Sequence, residues 1–163
     1  MLYTVFCEDG RTVFREGSQK LRDNFTVKEL ADNDSHTLVW KTKQGDLIQA
    51  IRDYLGHSVT VSSHYRTPVR NKEVGGSLHS DHQLGQATDL LLNPNGMKRT
   101  ELIDLITFAV ENGAREIGIY TPGKNFIHVS YVGWGTKKHQ VDGIEFSLYV
   151  QGTDQYNLLE YFR

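Results

Sequence analysis

The chain has 163 residues, in which 18 Lys and Arg nearly balance 20 Asp and Glu for a formal charge of -2, and this length fits one compact domain. The balance leaves no overall basic field of the kind that concentrates nucleic acid or anionic lipid, so it argues against a generic nucleic-acid binder. No apolar run reaches the roughly 18 residues of a membrane helix, and the N-terminus lacks a signal-peptide pattern, so we expect no membrane insertion and a chain that is cytoplasmic when synthesised.

The first half of the chain predicts a hairpin, two helices and a strand. Residues 1–15 contain two short β-type runs, "LYTVF" and "RTVF", broken by an Asp-Gly pair suited to a tight turn. Thr26 and Glu29 have the spacing of a capping box, which starts a short helix. The segment "GDLIQAIRDYLG" carries one apolar stripe and ends at Gly56, as a second helix would, and "SVTVSS" then alternates as a strand.

The second half adds a long polar segment, one more helix and several strands. Residues 64–85 are polar and glycine-rich, and a stretch of this length in a compact domain usually carries function. The run "ATDLLLN", a helix over about residues 98–112, and the strands "EIGIY", "FIHVSYV" and "GIEFSLYVQG" follow, before a tail that we expect to be loose. This order predicts a single α+β domain over residues 1–163, with a central, mostly antiparallel sheet and flanking helices.

Three residues have the character of metal ligands. Asp89 is an acid inside an apolar run, where burial is costly unless the carboxylate is paired or bound to a cation. His82 precedes it by a short loop that contains a glycine, and His128 lies inside the apolar run "FIHVSYV". Two imidazoles and one carboxylate can hold a catalytic zinc with one position open for water, and they can also hold ferrous iron. The alternative is a structural hydrogen bond between His82 and Asp89 without any metal.

A set of spaced motifs carries a family resemblance. The motifs are "SSHYRTP", "NKEVGG", "SLHSDHQLGQATD" and, about forty residues later, "IGIYTPGKNFIHVS". In this order they resemble the zinc D-alanyl-D-alanine carboxypeptidase family, the M15-type peptidases that cut peptidoglycan stem peptides. The resemblance covers about residues 25–132 and leaves residues 134–163, an extra strand and tail, outside it. It implies the α+β fold that this family shares with the hedgehog signalling domain.

The resemblance also implies a role for each matching residue. His82, Asp89 and His128 would bind one zinc ion. Arg66 would act in catalysis by holding a substrate carboxylate or the oxyanion. Ser80, which comes shortly before the first ligand, would support the ligands or contact substrate. The residues that match the family's loop frame are Tyr65, Asn71, Gly75 and Gly76.

One departure from the family pattern concerns the general base that a metallopeptidase needs. Relatives often carry an acid three residues before the last histidine ligand or two residues after it, where this chain has Asn125 and Ser130. Neither side chain accepts a proton at neutral pH. We therefore expect Asn125 and Ser130 to support the ligands or to contact substrate. We favour His79 as the base because it lies close to His82 in the same loop. The other candidates are Glu73, Asp81, Glu116, Asp142 and His139.

The activity implied by the resemblance is hydrolysis of peptide bonds in peptidoglycan stem peptides or cross-bridges, by a D-Ala-D-Ala carboxypeptidase or an endopeptidase. The alternative is a catalytically inactive zinc domain that binds cell wall or a protein partner. Because no export signal is visible, we expect the wall to be reached through lysis, injection or separate export, which suits a bacteriophage endolysin or virion enzyme. Trp134, Lys137 and Lys138 could contact anionic glycan, although a solvated loop is the commoner role of such a segment. The sequence leaves the oligomeric state open.

Overall fold

The computed structural model describes residues 1–121, 123–135 and 138–163, and these form strands, α-helices and two 3₁₀ turns. The strands are β1 (Leu2–Phe6), β2 (Thr12–Glu16), β3 (Lys20–Arg22), β4 (Phe25–Thr26), β5 (Thr37–Val39), β6 (Val61–Ser63), β7 (Ala87–Leu90), β8 (Glu116–Tyr120), β9 (Phe126–Ser130), β10 (His139–Val141) and β11 (Ile144–Gln151). The helices are α1 (Val27–Leu30), α2 (Thr42–Leu55), α3 (Pro68–Glu73), α4 (Arg99–Glu111) and α5 (Leu158–Tyr161), and the 3₁₀ turns are Asp81–Leu84 and Pro94–Gly96.

The largest sheet has six strands in the order β10-β11-β8-β9-β7-β6. Its neighbouring strands are antiparallel, except that β8 and β11 are parallel. The predicted α+β class and mostly antiparallel sheet are therefore confirmed. In a separate three-stranded sheet β1 lies between β2 and β5, and the predicted hairpin of β1 and β2 is antiparallel.

The two faces of the large sheet differ in chemistry. Asp89 on β7 lies opposite His128 on β9, and His128 lies opposite Gly118 on β8. Gly118 in turn lies opposite Tyr149 on β11, so one row crosses four strands on one face. The alternate residues form an apolar second face, which α2 and α4 cover. The buried side chains that meet there include Ile51, Leu90, Leu105, Ile106, Ile117, Ile127 and Val129.

Gln44 ties α2 to the sheet. Its side chain is fully buried, and Nε2 donates to Thr88 Oγ1 at 3.0 Å and to the carbonyl of Val129 at 2.9 Å. Its Oε1 accepts from the backbone N–H of Tyr131 at 3.1 Å. Both ends of the amide are therefore satisfied, as a buried polar group requires, and the helix is held against the strands that carry Asp89 and His128.

The predicted helices are confirmed with small shifts of their ends. At the start of α1, Thr26 Oγ1 accepts from the backbone N–H of Glu29, whose carboxylate accepts from the N–H of Thr26. α2 begins at Thr42, ahead of the apolar stripe, and ends at Leu55. Gly56 caps it with a φ of 71°, a left-handed value that suits glycine. The longest helix has 14 residues, and no helix in the described ranges is long and apolar enough to cross a membrane.

Two segments differ from the expectation. The polar segment over residues 64–85 contains α3, which is capped by Thr67 and has Pro68 in its first turn, where a proline is tolerated. The C-terminal tail is not loose, because α5 and the residue that follows it bury Leu158 and Phe162. The ring of Phe162 meets the ring of Phe146 edge-on at 5.6 Å. A single turn of helix is too short to show a helical period in the sequence.

Candidate metal centre

His82 reaches the polar face of the sheet from the 3₁₀ turn Asp81–Leu84. Ser80 caps this turn, since its hydroxyl accepts from the backbone N–H of His82. Gly85 ends the turn at a φ of 67°, and any Cβ there would collide with the carbonyl of Val39. A glycine is therefore required both by the backbone conformation and by the space.

The three predicted ligands come together as a buried cluster. His128 Nδ1 lies 2.9 Å from Asp89 Oδ1, and His82 Nε2 lies 3.2 Å from Asp89 Oδ2. One candidate ligand atom from each residue lies within 4.8 Å of the other two. A tetrahedral ion with bonds of about 2.0–2.1 Å needs ligand atoms roughly 3.3 Å apart. The cluster is thus of the right size to bind one metal ion.

The tautomer of His82 directs a lone pair into this cluster. Its Nδ1 lies 2.6 Å from the carbonyl oxygen of His64, which can only accept, so Nδ1 carries the proton. Nε2 is then a bare acceptor that is buried and has no hydrogen-bond partner in the described residues, because its contact with Asp89 lacks hydrogen-bond geometry. A buried acceptor without a partner is costly, and a metal ion would satisfy it.

His128 is held between two carboxylates. Its Nδ1 faces Asp89, and its Nε2 lies 3.1 Å from Glu116 Oε1. Burial alone would lower the pKa of His128, but the bonds to Asp89 and Glu116 outweigh it and raise the pKa to about 9. An arrangement in which one imidazole nitrogen faces a metal and the other donates to a carboxylate is common in metal sites, because it fixes the ring and strengthens the ligand.

Asp89 is the anion at the centre of the cluster. Burial would raise its pKa, but the hydrogen bond and the charge of His128 hold it well below its usual range, so the carboxylate is ionised. Arg66 adds a further positive charge, with its guanidinium 3.7 Å from Asp89 Oδ2. A charged oxygen in this position is a suitable metal ligand.

Arg66 is positioned by the end of β6 and by α3. Its Nε donates to Ser63 Oγ at 3.0 Å, and one guanidinium nitrogen donates to Asn71 Oδ1 at 3.1 Å. Asn71 is buried and donates in turn to the carbonyl of Ser77. A Cβ on Gly76 would collide with the Asn71 amide, so the glycine permits this close approach. Two of the predicted frame residues, Asn71 and Gly76, therefore help to hold the arginine beside the cluster.

Two of the acids that line the cleft, Glu116 and Asp81, were candidate bases. Glu116 contacts His128 directly, and Asp81 accepts a hydrogen bond from the indole N–H of Trp134. Burial raises the pKa of Asp81, and the nearby charge of Glu116 raises it further, against the lowering effect of the Trp134 bond. Both acids were among the candidate bases, but sequence spacing could not select them.

The cluster opens into a cleft of about 1570 Å³. His79 is exposed at its rim, and no hydrogen bond joins it to the three ligands within the described part of the chain. Among the described residues, the other candidate bases do not line this cleft. They are Glu73, which pairs with Arg70, His139, which lies on β10, and Asp142, which lies in the turn between β10 and β11.

The two positions that replace the expected acids have structural roles here. Asn125 is exposed and holds a φ of 49°, a left-handed value that asparagine tolerates. The hydroxyl of Ser130 is buried, donates to the carbonyl of Val132 and accepts from its N–H. Ser130 is also the direct cross-strand partner of Glu116.

Of the residues considered for glycan contact, Trp134 is exposed beside the cleft, and Lys137 lies outside the described residues.

The arrangement by itself defines a class of protein. An α+β domain that buries two imidazoles and one carboxylate at the floor of an open cleft is a candidate mononuclear metalloenzyme. The family model described as Peptidase M15 matches residues 20–130, which is more than half of the chain, and the chain belongs to this family. The family resemblance expected from the motifs is thereby confirmed. No curated protein matches the sequence.

Proposed function

We propose that the protein is a zinc metallopeptidase that hydrolyses peptide bonds in peptidoglycan stem peptides or cross-bridges, as a D-Ala-D-Ala carboxypeptidase or an endopeptidase. The observation that supports this most directly is the buried cluster of His82, Asp89 and His128 in an M15 family member. Three protein ligands are the usual number for a catalytic zinc, whereas structural zinc sites use four. Family membership favours zinc over ferrous iron, which the same ligands could hold.

The residues around the cluster supply what a peptidase needs beside the metal. Zinc, when bound, would polarise the scissile carbonyl and make its water more acidic. Arg66 lies on the cleft wall and is preorganised to hold a substrate carboxylate or the developing oxyanion. Glu116 fixes the ring of His128. We assign proton transfer to Asp81, since burial raises its pKa towards the range of a useful base.

The experiment that tests this function has two readouts. Purified protein is expected to bind one zinc ion per chain and to release peptide fragments from purified peptidoglycan, identified by mass. His82→Ala should lose both properties, because it removes a ligand. His57→Ala serves as a matched control, since His57 is exposed and its Nδ1 is hydrogen-bonded to the neighbouring carbonyl of Ser58. A zinc content near zero after purification with added metal would overturn the metal assignment.

A second candidate function is an inactive zinc domain that binds cell wall or a protein partner. It is favoured by Asn125 and Ser130, which stand where relatives often have a catalytic acid. In this case the wild type would bind zinc and sediment with peptidoglycan, and no fragment would be released.

The expected place of the activity in bacteriophage lysis stays a prediction, to be tested by adding the protein to intact sacculi and following their turbidity.

A further inference from the structure

β11 lies outside the residues that match the family, yet it contributes to the candidate site. The family match ends at residue 130, and β11 spans Ile144–Gln151. Its parallel pairing with β8 places Tyr149 opposite Gly118 and so at the end of the row that contains Asp89 and His128. The rings of Tyr149 and His128 have their centroids 6.2 Å apart.

Gly118 makes room for the phenol ring of Tyr149. A Cβ at position 118 would collide with several atoms of the ring, including its hydroxyl oxygen. The ring therefore lies directly over the β8 backbone and points towards the cluster. A glycine inside a strand weakens the strand unless it permits such a close approach, and here that approach brings the hydroxyl into the cleft.

The hydroxyl of Tyr149 is paired with another phenol. Its oxygen lies 3.2 Å from the hydroxyl oxygen of Tyr120, whose ring stacks on Phe126 with centroids 4.2 Å apart. Two phenols carry two O–H protons, and their mutual bond uses one. Within the described part of the chain, the other proton has no acceptor. A phenol is neutral near pH 7, so the remaining O–H is available as a donor.

Both tyrosines line the cleft that Arg66 and His128 also line. We propose that the Tyr120–Tyr149 pair binds an acceptor oxygen of the substrate peptide, a carbonyl or a terminal carboxylate, opposite Arg66, and so helps to position the peptide on the candidate metal. This inference rests on the proposed function. It gives the C-terminal segment a direct part in the specificity of the site, which its position outside the family match does not suggest.

The test uses the full chain loaded with zinc and a synthetic stem pentapeptide that ends in D-Ala-D-Ala. Tyr149→Phe and Tyr120→Phe remove one hydroxyl each and keep the ring. Loss of a hydrogen bond of this kind should weaken peptide binding by about 10-fold, measured by calorimetry, with unchanged zinc content. The double variant should lose less than the product of the single effects, because the hydroxyls act as one unit. Tyr54→Phe, which alters a tyrosine stacked on Phe108 away from the cleft, is the control.

The outcomes separate this inference from the proposed function. If the wild type binds the pentapeptide but cuts nothing, the peptidase assignment fails and the binding data still decide the role of the tyrosines. Binding by both single variants within twofold of the wild type would overturn the inference, and so would a wild type that binds no pentapeptide. The same peptide with its last D-Ala replaced by ethylamine, which lacks the terminal carboxyl group, distinguishes the acceptor: the effect of Tyr149→Phe disappears if the carboxylate accepts and persists if a backbone carbonyl accepts.

Discussion

At the scale of single residues, the acids around the candidate metal are distributed differently from the family pattern. The position two residues after the last ligand holds Ser130, and its cross-strand partner Glu116 carries a carboxylate that contacts His128. An acid is thus present in the same region, but on the neighbouring strand. The three ligands could be predicted because each is locally unusual, as Asp89 is in its apolar run. Glu116 could not be selected, since strand register is not visible in the sequence.

Glu116→Gln and Asp81→Asn should have different effects, because the two acids have different contacts. Glu116→Gln removes the charge that supports His128, and zinc affinity should fall by about 10- to 100-fold in competition with a chelator. Asp81→Asn should leave zinc affinity within about twofold and lower the rate of hydrolysis at saturating zinc by about 10²- to 10⁴-fold.

The control for both variants is Glu145→Gln, which alters an exposed acid on β11. His79→Ala tests the base that we favoured from the sequence, and a loss as large as that of Asp81→Asn would transfer the role to His79. Equal zinc affinity in Glu116→Gln and the wild type would contradict the proposed support of His128.

At the scale of elements, the loop that carries Arg66 depends on a carboxylate from the turn after α1. Asp32 is buried, and its Oδ2 accepts from both the N–H and the hydroxyl of Thr67, the residue that caps α3. Its Oδ1 accepts from the N–H groups of Asp34 and Ser35. α3 was not predicted because it is one short helix in a polar segment, and its main support comes from a residue 35 positions away.

Asp32→Asn should destabilise the protein by about 1–3 kcal/mol at pH 7, because an amide nitrogen cannot accept the bonds that one carboxylate oxygen accepts. Burial alone would raise the pKa of Asp32, but the bonds from Thr67 and Ser35 lower it below its ordinary value of 3.8. A lowered pKa gives stability that is present above pH 3.8 and is lost as the pH falls below it.

The measurement is urea unfolding of the wild type and Asp32→Asn between pH 7 and pH 3. The difference in the free energy of unfolding should be constant near neutral pH and shrink towards pH 3. A difference that does not depend on pH would show that the ionised carboxylate is not what stabilises the loop. Asp34→Asn is the matched control, because the side chain of Asp34 is exposed.

At the scale of the whole molecule, the C-terminal segment is part of the core. β11 lies between β10 and β8 inside the large sheet, and the segment buries five apolar side chains. They are Val141, Phe146, Leu148, Leu158 and Phe162. The sequence predicted β11 as a strand and placed most other strands correctly. It could not show the parallel pairing with β8, because that contact joins residues far apart in the chain.

A chain that ends at Gly133 should not fold. Five buried side chains at about 1.5–3 kcal/mol each amount to roughly 10 kcal/mol, which is comparable to the whole stability of a domain. Far-UV circular dichroism during heating should show no cooperative transition, whereas a chain that lacks only the exposed Arg163 should unfold like the wild type. Phe146→Ala should cost about 3–5 kcal/mol. A cooperative transition in the truncated chain would show that the rest of the domain folds without β11.

The inner position of β11 has a consequence for the order of events during synthesis. Until residues 144–151 have left the ribosome, β8 has one edge without a partner, although every candidate metal ligand has already been made. An open apolar strand edge invites pairing with other chains. Folding of the large sheet should therefore be completed only after residues 144–151 have left the ribosome, and a nascent chain stalled between His128 and Ile144 should be prone to aggregation.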